Sequence, residues 1–187
     1  MELTVVRHTR VAVPKGVCYG RSEVPLASTF AEEAKALRDR LDFPFDGVWC
    51  SPSERCQKLA AALEVHRPSL EPALREMDFG SWEGRRWDEI DAETLNAWMT
   101  DFVKVAPPGG ESLDAFNRRV GTWLESLRPA SGQKGLIIAH AGTIRCLWAN
   151  LLGIPLANLF RLQIGYGEVL KFQLGRDPTG DQILQKE

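Results

Sequence analysis

Two short apolar runs, Leu3-Thr4-Val5-Val6 and Leu136-Ile137-Ile138-Ala139, are rich in β-branched residues and bounded by polar or glycine positions. They do not alternate as a half-exposed strand would. That pattern suits central strands of a parallel sheet, buried on both faces. Each run ends on a histidine, within Arg7-His8-Thr9 and His140-Ala141-Gly142. Open α/β sheets bind ligands at the carboxyl ends of their strands, so the pattern brings both imidazoles to one edge.

The segments between these runs change period. Phe30, Ala34, Leu37 and Leu41 recur at helical spacing behind Thr29-x-x-Glu32, which predicts a helix opened by a capping box. Gly47-Val48-Trp49-Cys50 reads as a strand. Ser51-Pro52-Ser53-Glu54 then supplies an N-cap serine, a proline at the first helical position and a glutamate at the third, for a second helix running to about Leu63. Leu113, Phe116, Val120, Leu124 and Leu127 predict a third helix. Ile144, Leu147, Trp148 and Leu151 predict a fourth, stopped by Gly153 and Pro155. Leu170, Phe172 and Leu174 alternate as a late strand, and 182–186 reads as an edge strand after a turn at Asp177-Pro178-Thr179-Gly180.

Two stretches resist a regular period. Residues 10–27, with Pro14, Gly16, Gly20 and Pro25, form a long loop at the site edge, and residues 71–110, rich in tryptophan, form a loop with short helices over the site. The alternation of strand and helix predicts a three-layer α/β/α sandwich with a mostly parallel central sheet. One domain is expected over 1–187, with 71–110 as a covering insertion.

Charge narrows the partners. The 23 basic and 25 acidic residues leave a net charge of -2, so no global field draws nucleic acid or an anionic membrane, and any anion site is local. The four cysteines form no C-x-x-C pair and read as free buried thiols of a reducing compartment. The first strand begins at residue 2 or 3, which leaves no room for a signal peptide, and no apolar stretch approaches membrane-spanning length. A cytoplasmic location is the expectation.

Arg55 breaks a local rule. It falls in the first turn of the second helix, where the macrodipole disfavours a cation unless a partner compensates. A helix N-terminus with a guanidinium suits phosphate oxygens. Arg7 leaves its strand at the same edge as a second planar donor. Two arginines, two strand-end histidines and a helix start make one polar cluster that apolar packing does not require.

Several segments carry a family resemblance: Leu3 to Thr9, Ser51 to Gln57, Leu74-Arg75-Glu76-Met77-Asp78-Phe79-Gly80-Ser81-Trp82-Glu83-Gly84, Gly109-Gly110-Glu111-Ser112 and Ala139 to Arg145. In this order they resemble the motifs of the histidine phosphatase (phosphoglycerate mutase-like) superfamily. The Arg-His-Thr variant and the segment Gly16 to Leu26 look most like alpha-ribazole phosphatases of cobalamin synthesis. Thr9 stands where the family usually has glycine, and so does Ala141; neither change removes a catalytic group.

The resemblance implies His8 as the nucleophile that takes the phosphoryl group and Glu76 as the proton donor. Arg7, Arg55 and His140 would bind the equatorial oxygens. It also implies a small-molecule phosphate ester as partner, no metal and no cofactor, with the assembly open between monomer and homodimer. The residue types agree with that chemistry. A ring nitrogen attacks phosphorus only when deprotonated, and adjacent arginines favour the neutral ring. Fixed cationic donors stabilise the charge on the non-bridging oxygens. Alternatives are a broad-specificity histidine phosphatase, a phosphoglycerate mutase-type enzyme, or a phosphate-binding module without catalysis. Tyr19, Trp82, Trp87 and Trp98 are candidates to stack on a planar base. Gly165-Tyr166-Gly167 is too short a glycine pattern to signal nucleotide binding.

Overall fold

A computed structural model describes residues 1–128 and 133–186. Six strands, β1 (Glu2–Arg7), β2 (Gly47–Cys50), β3 (Ser69–Leu70), β4 (Lys134–Ala139), β5 (Val169–Gln173) and β6 (Gln182–Lys186), form one sheet in the order β3-β2-β4-β1-β5-β6. The pairs β3-β2, β2-β4 and β4-β1 are parallel, while β5 runs antiparallel to β1 and β6 antiparallel to β5. The two histidine-bearing runs are therefore neighbours. Their register pairs Arg7 with Ala139, and the His8 amide donates to the Ala139 carbonyl at 3.0 Å.

Strand alternation sends successive side chains to opposite faces. Leu3, Val5, Ile137, Leu170 and Phe172 pack under α4 (Leu113–Ser126) and α5 (Ala141–Leu152) through Phe116, Val120, Leu124, Ile144 and Leu147. On the other face Val6, Leu136, Ile138 and Val169 meet α1 (Phe30–Arg40) and α2 (Glu54–Ala62) through Leu37 and Leu59. Each such aliphatic side chain contributes roughly 1.5–3 kcal/mol by leaving water. This double coverage is why the two runs are apolar without alternation.

A third apolar cluster lies outside the sandwich. Trp82, Cys18 and Ile90 are buried together, with Phe79, Trp87, Leu95 and Trp98 packed around them. It contains α3 (Ala92–Thr100), capped by Asp91, whose carboxylate accepts from the Thr94 amide at 2.9 Å. The two ends of this segment close on each other at Gly80, where φ is +54° and a Cβ would overlap the Pro108 carbonyl. Among the described residues, no helix is long and apolar enough to cross a membrane.

Two predicted caps are not formed. Thr29 makes no side-chain cap; its hydroxyl donates to the Glu33 carboxylate at 2.6 Å, one residue beyond the predicted partner. The second helix begins at Glu54 with Ser53 as N-cap, so Ser51 is no cap and Pro52 lies before the helix. The reason is that Ser51 is drawn inward to a buried partner, His140. The carboxylate that reaches the start of α2 comes from Glu23, accepting from the Glu54 amide at 3.0 Å.

Candidate active site

An open cavity of about 820 Å³, mouth included, lies at the carboxyl ends of β1 and β4. Arg7, His8, Arg55 and Glu76 line it. His140 does not reach the cavity wall. It stands behind, fully buried, its ring edge-on to His8 with centroids 5.2 Å apart.

His8 is held in one tautomer. Its Nδ1 lies 2.7 Å from the Thr9 carbonyl oxygen, which can only accept, so Nδ1 carries the hydrogen and Nε2 carries the lone pair. Burial, with the charges of Arg55 and Arg7, lowers the imidazole from 6.5 to about 3, and the Thr9 bond opposes this in part. His8 is neutral at physiological pH. His140 is shifted the same way, well below 6.5, by complete burial and then by Arg55.

Arg55 is 1 % exposed and has no carboxylate at ion-pair distance among the described residues. Its Nη2 donates to the Gly20 carbonyl at 2.6 Å, its Nη1 to the Ser22 carbonyl at 2.9 Å and its Nε to His140 Nδ1 at 3.3 Å. The partner that the sequence called for is thus loop backbone. Because Arg55 Nε can only donate, His140 Nδ1 accepts, and His140 Nε2 donates to Ser51 Oγ at 2.7 Å. Arg7 donates from Nη1 to the Ile164 carbonyl at 2.6 Å, and its Nε is buried with no hydrogen-bond partner among the described residues. An orphaned guanidinium donor beside a neutral imidazole is a place for an anion's oxygen.

Glu76 also lines the cavity. Its Oε1 accepts from the Met77 amide and its Oε2 from the Gly142 amide, both at 2.9 Å. Gly142 belongs to the first turn of α5, whose amides have no intrahelical acceptors. The backbone around Glu76 is braced by charge. Arg119 donates to the Ala73 carbonyl at 2.7 Å and pairs with Glu111 at 2.6 Å, while Arg21 bridges Asp78 and Glu111 at 3.0 and 3.1 Å.

The aromatic candidates separate. Tyr19 and Trp87 line the cavity, whereas Trp82 and Trp98 belong to the cover's own cluster. Tyr166, passed over in the sequence, stacks on Arg7 with the guanidinium carbon 3.7 Å from its ring centre, and its ring lies 5.6 Å from that of His8. Its hydroxyl meets that of Tyr19 at 2.5 Å. Arg145 is a second omission: it lines the cavity, with Nε donating to the Leu162 carbonyl at 2.9 Å.

The sequence profile of the Histidine phosphatase superfamily (branch 1) matches residues 3–180, and the chain belongs to that superfamily. Its chemistry is that of a phosphoric monoester hydrolase. The chain is 36% identical over 176 residues to the adenosylcobalamin/alpha-ribazole phosphatase of Salmonella typhimurium, covering 89% of this chain and 87% of that protein. It is 30% identical over 197 residues to the 2,3-bisphosphoglycerate-dependent phosphoglycerate mutase of Mesorhizobium japonicum, covering 95% of this chain and 94% of the other. The alpha-ribazole phosphatase of Shigella flexneri has a similar structure, with a TM-score of 0.89 at 29% identity, covering 98% of this chain and 95% of that one.

Proposed function

We propose that this protein hydrolyses alpha-ribazole 5'-phosphate, or a closely similar ester, through a phosphohistidine on His8. The observation that carries the mechanism is the bond from His8 Nδ1 to the Thr9 carbonyl, which leaves the lone pair on Nε2 of a ring that lines the cavity together with two guanidiniums. In the first step His8 Nε2 attacks phosphorus, the bond from phosphorus to the ester oxygen breaks, and the leaving oxygen takes a proton from Glu76. Arg7 and Arg55 hold the non-bridging oxygens, whereas His140, expected from the sequence to bind them too, stands behind the cavity wall with both ring nitrogens engaged and positions Arg55. In the second step water attacks phosphorus and gives a proton to Glu76, and the bond from nitrogen to phosphorus breaks. Phosphate leaves, and the imidazole and the carboxyl are restored.

The cavity walls suit an aromatic alcohol. Phe79, Trp87 and Phe160 present an apolar aromatic side to the cavity, suited to a planar base. The relatives named as alpha-ribazole phosphatases point the same way. We read residues 71–110 as the cover of a single domain. The four buried, unbridged thiols support action in a reducing compartment such as the cytoplasm.

The test has two arms. His8→Ala protein should lose both turnover and acid-labile, base-stable phosphate labelling; retained turnover would remove the mechanism. Wild-type kcat/KM for alpha-ribazole 5'-phosphate should exceed that for 3-phosphoglycerate and for nucleoside 5'-monophosphates. Preference for phosphoglycerate would overturn the substrate and leave the chemistry.

A further inference from the structure

Arg145 has no role in the steps above, yet it is a cation set into the cavity wall. Nε to Leu162 is the one hydrogen bond its guanidinium makes among the described residues, and no carboxylate there lies at ion-pair distance from it. Its surroundings are apolar towards Phe160, whose ring centre lies 5.8 Å from the guanidinium carbon, while Glu76 favours its charge and Arg7 opposes it from beyond ion-pair distance. Partial burial, the largest influence on Arg145, works against its charge. The two Nη groups, planar and parallel, are left with donors to give.

Position says to what. Gly142, whose amide holds Glu76, and Arg145 are three residues apart on α5, so they share a face and are separated by about 4.5 Å along the axis. A leaving oxygen protonated by Glu76 therefore has Arg145 beside the carbons two or three bonds further out. Charge says what kind of group. A second anion at that point would stand close to both the phosphoryl group and Glu76, and like charges at such range oppose one another. Neutral oxygens avoid this. A pair of adjacent hydroxyls can accept from a planar fork while the apolar wall takes the rest of the alcohol.

We propose that Arg145 forms a subsite for a vicinal diol on the leaving alcohol, and so selects esters of furanose-type sugars over simple alkyl esters. The proposal rests on the phosphohistidine reading of the same cavity and does not need the benzimidazole base. Its test is a cycle of two changes, one in the protein and one in the ligand. kcat/KM is measured for wild type, Arg145→Met and Arg145→Lys on methyl riboside 5-phosphate and on its 2,3-dideoxy counterpart, with p-nitrophenyl phosphate turnover reporting that each variant is folded. Wild type should favour the diol by about tenfold or more, the scale of a hydrogen bond to a charged donor, and both variants should lose most of that preference.

A wild-type enzyme indifferent to the diol overturns the subsite, and so do variants that keep the full preference. The two readings fail separately. Coupling on the riboside without a preference for alpha-ribazole 5'-phosphate removes the base assignment alone. Preference for that ester without coupling removes the subsite alone.

Discussion

The Gly142 amide donates to Glu76 Oε2 at 2.9 Å, and a Cβ built on Gly142 would overlap Glu76 Oε1. One residue therefore both holds the carboxyl and makes room for it. Gly142→Ala should drive Glu76 out of place and press on the edge of the Phe116 ring at 2.9 Å, while His8 and the guanidiniums of Arg7 and Arg55 are not among the nearest atoms its Cβ would meet. Misplacement of about 1 Å costs on the order of a hundredfold, so alkyl ester turnover should fall by about that much. Nitrophenyl phosphate, whose leaving group needs little protonation, should lose far less. Equal loss on both esters would show that Gly142 matters for folding and not for placing the proton donor.

Tyr166 covers the Arg7 guanidinium at 3.7 Å and joins Tyr19 through its hydroxyl. These two roles can be separated. Tyr166→Phe keeps the ring over Arg7 and removes the hydroxyl bond; Tyr166→Ala removes both. A cation held against an aromatic face is stabilised by roughly 0.5–2 kcal/mol, so the alanine variant should bind inorganic phosphate about two- to thirtyfold more weakly. The phenylalanine variant should bind phosphate as wild type does. Phosphate inhibition constants decide it, and equal weakening in both variants would assign the effect to the hydroxyl pair.

These sites differ in how far the sequence could reveal them. His8 and His140 were legible because two apolar runs end on them, and a strand buried on both faces has a simple signature. Arg55 was legible because a cation at a helix start conflicts with the macrodipole. Tyr166 was not, because its placement depends on strand direction. β5 runs antiparallel to β1, so the loop before β5 arrives at the edge that β1 leaves, and alternation in Leu170, Phe172 and Leu174 carries no direction. Arg145 looks like one polar residue on a mostly apolar helix, and only the Leu159 and Phe160 segment, which has no strong period, turns that spot into a cavity wall. Ser51 shows the reverse. Its pattern fits an N-cap, but a buried imidazole needed its oxygen more.

That exchange has a measurable cost. His140 is fully buried, and its Nε2–H has Ser51 Oγ at 2.7 Å and, more distantly, the Cys56 sulfur at 3.6 Å. Ser51→Ala leaves the sulfur as a weak substitute. The cost should be about 1–3 kcal/mol, the penalty for a buried donor without a good acceptor. Urea unfolding at pH 7 measures it. Since Ser51 makes no cap, a loss confined to a few tenths of a kcal/mol would mean that His140 had turned its ring to another partner.

The buried imidazoles also set how stability responds to acid. His8 titrates near 3 when folded and near 6.5 when unfolded, and His140 is displaced in the same direction. Between these limits the unfolded chain binds more protons than the folded one, so stability rises with pH there and levels off above about 6.5. Read downward, it falls as pH drops below 6.5 and stops falling from this source below about 3. His8 contributes a slope of about 1.4 kcal/mol per pH unit once pH is well below 6.5 and still above 3, and His140 adds to it with the same sign. Carboxylates add their own slopes at lower pH, so the comparison with a variant is the measurement. His8→Asn replaces the ring with a group that does not titrate, while His140 and every carboxylate stay. Unfolding free energies from urea titrations at half-unit steps from pH 7 to 4 should give a shallower line for His8→Asn, by about 1.4 kcal/mol per unit between pH 5.5 and 4. Parallel lines would mean that His8 titrates alike in the folded and unfolded chain, so that burial and the two arginines do not hold its ring neutral below pH 6.5.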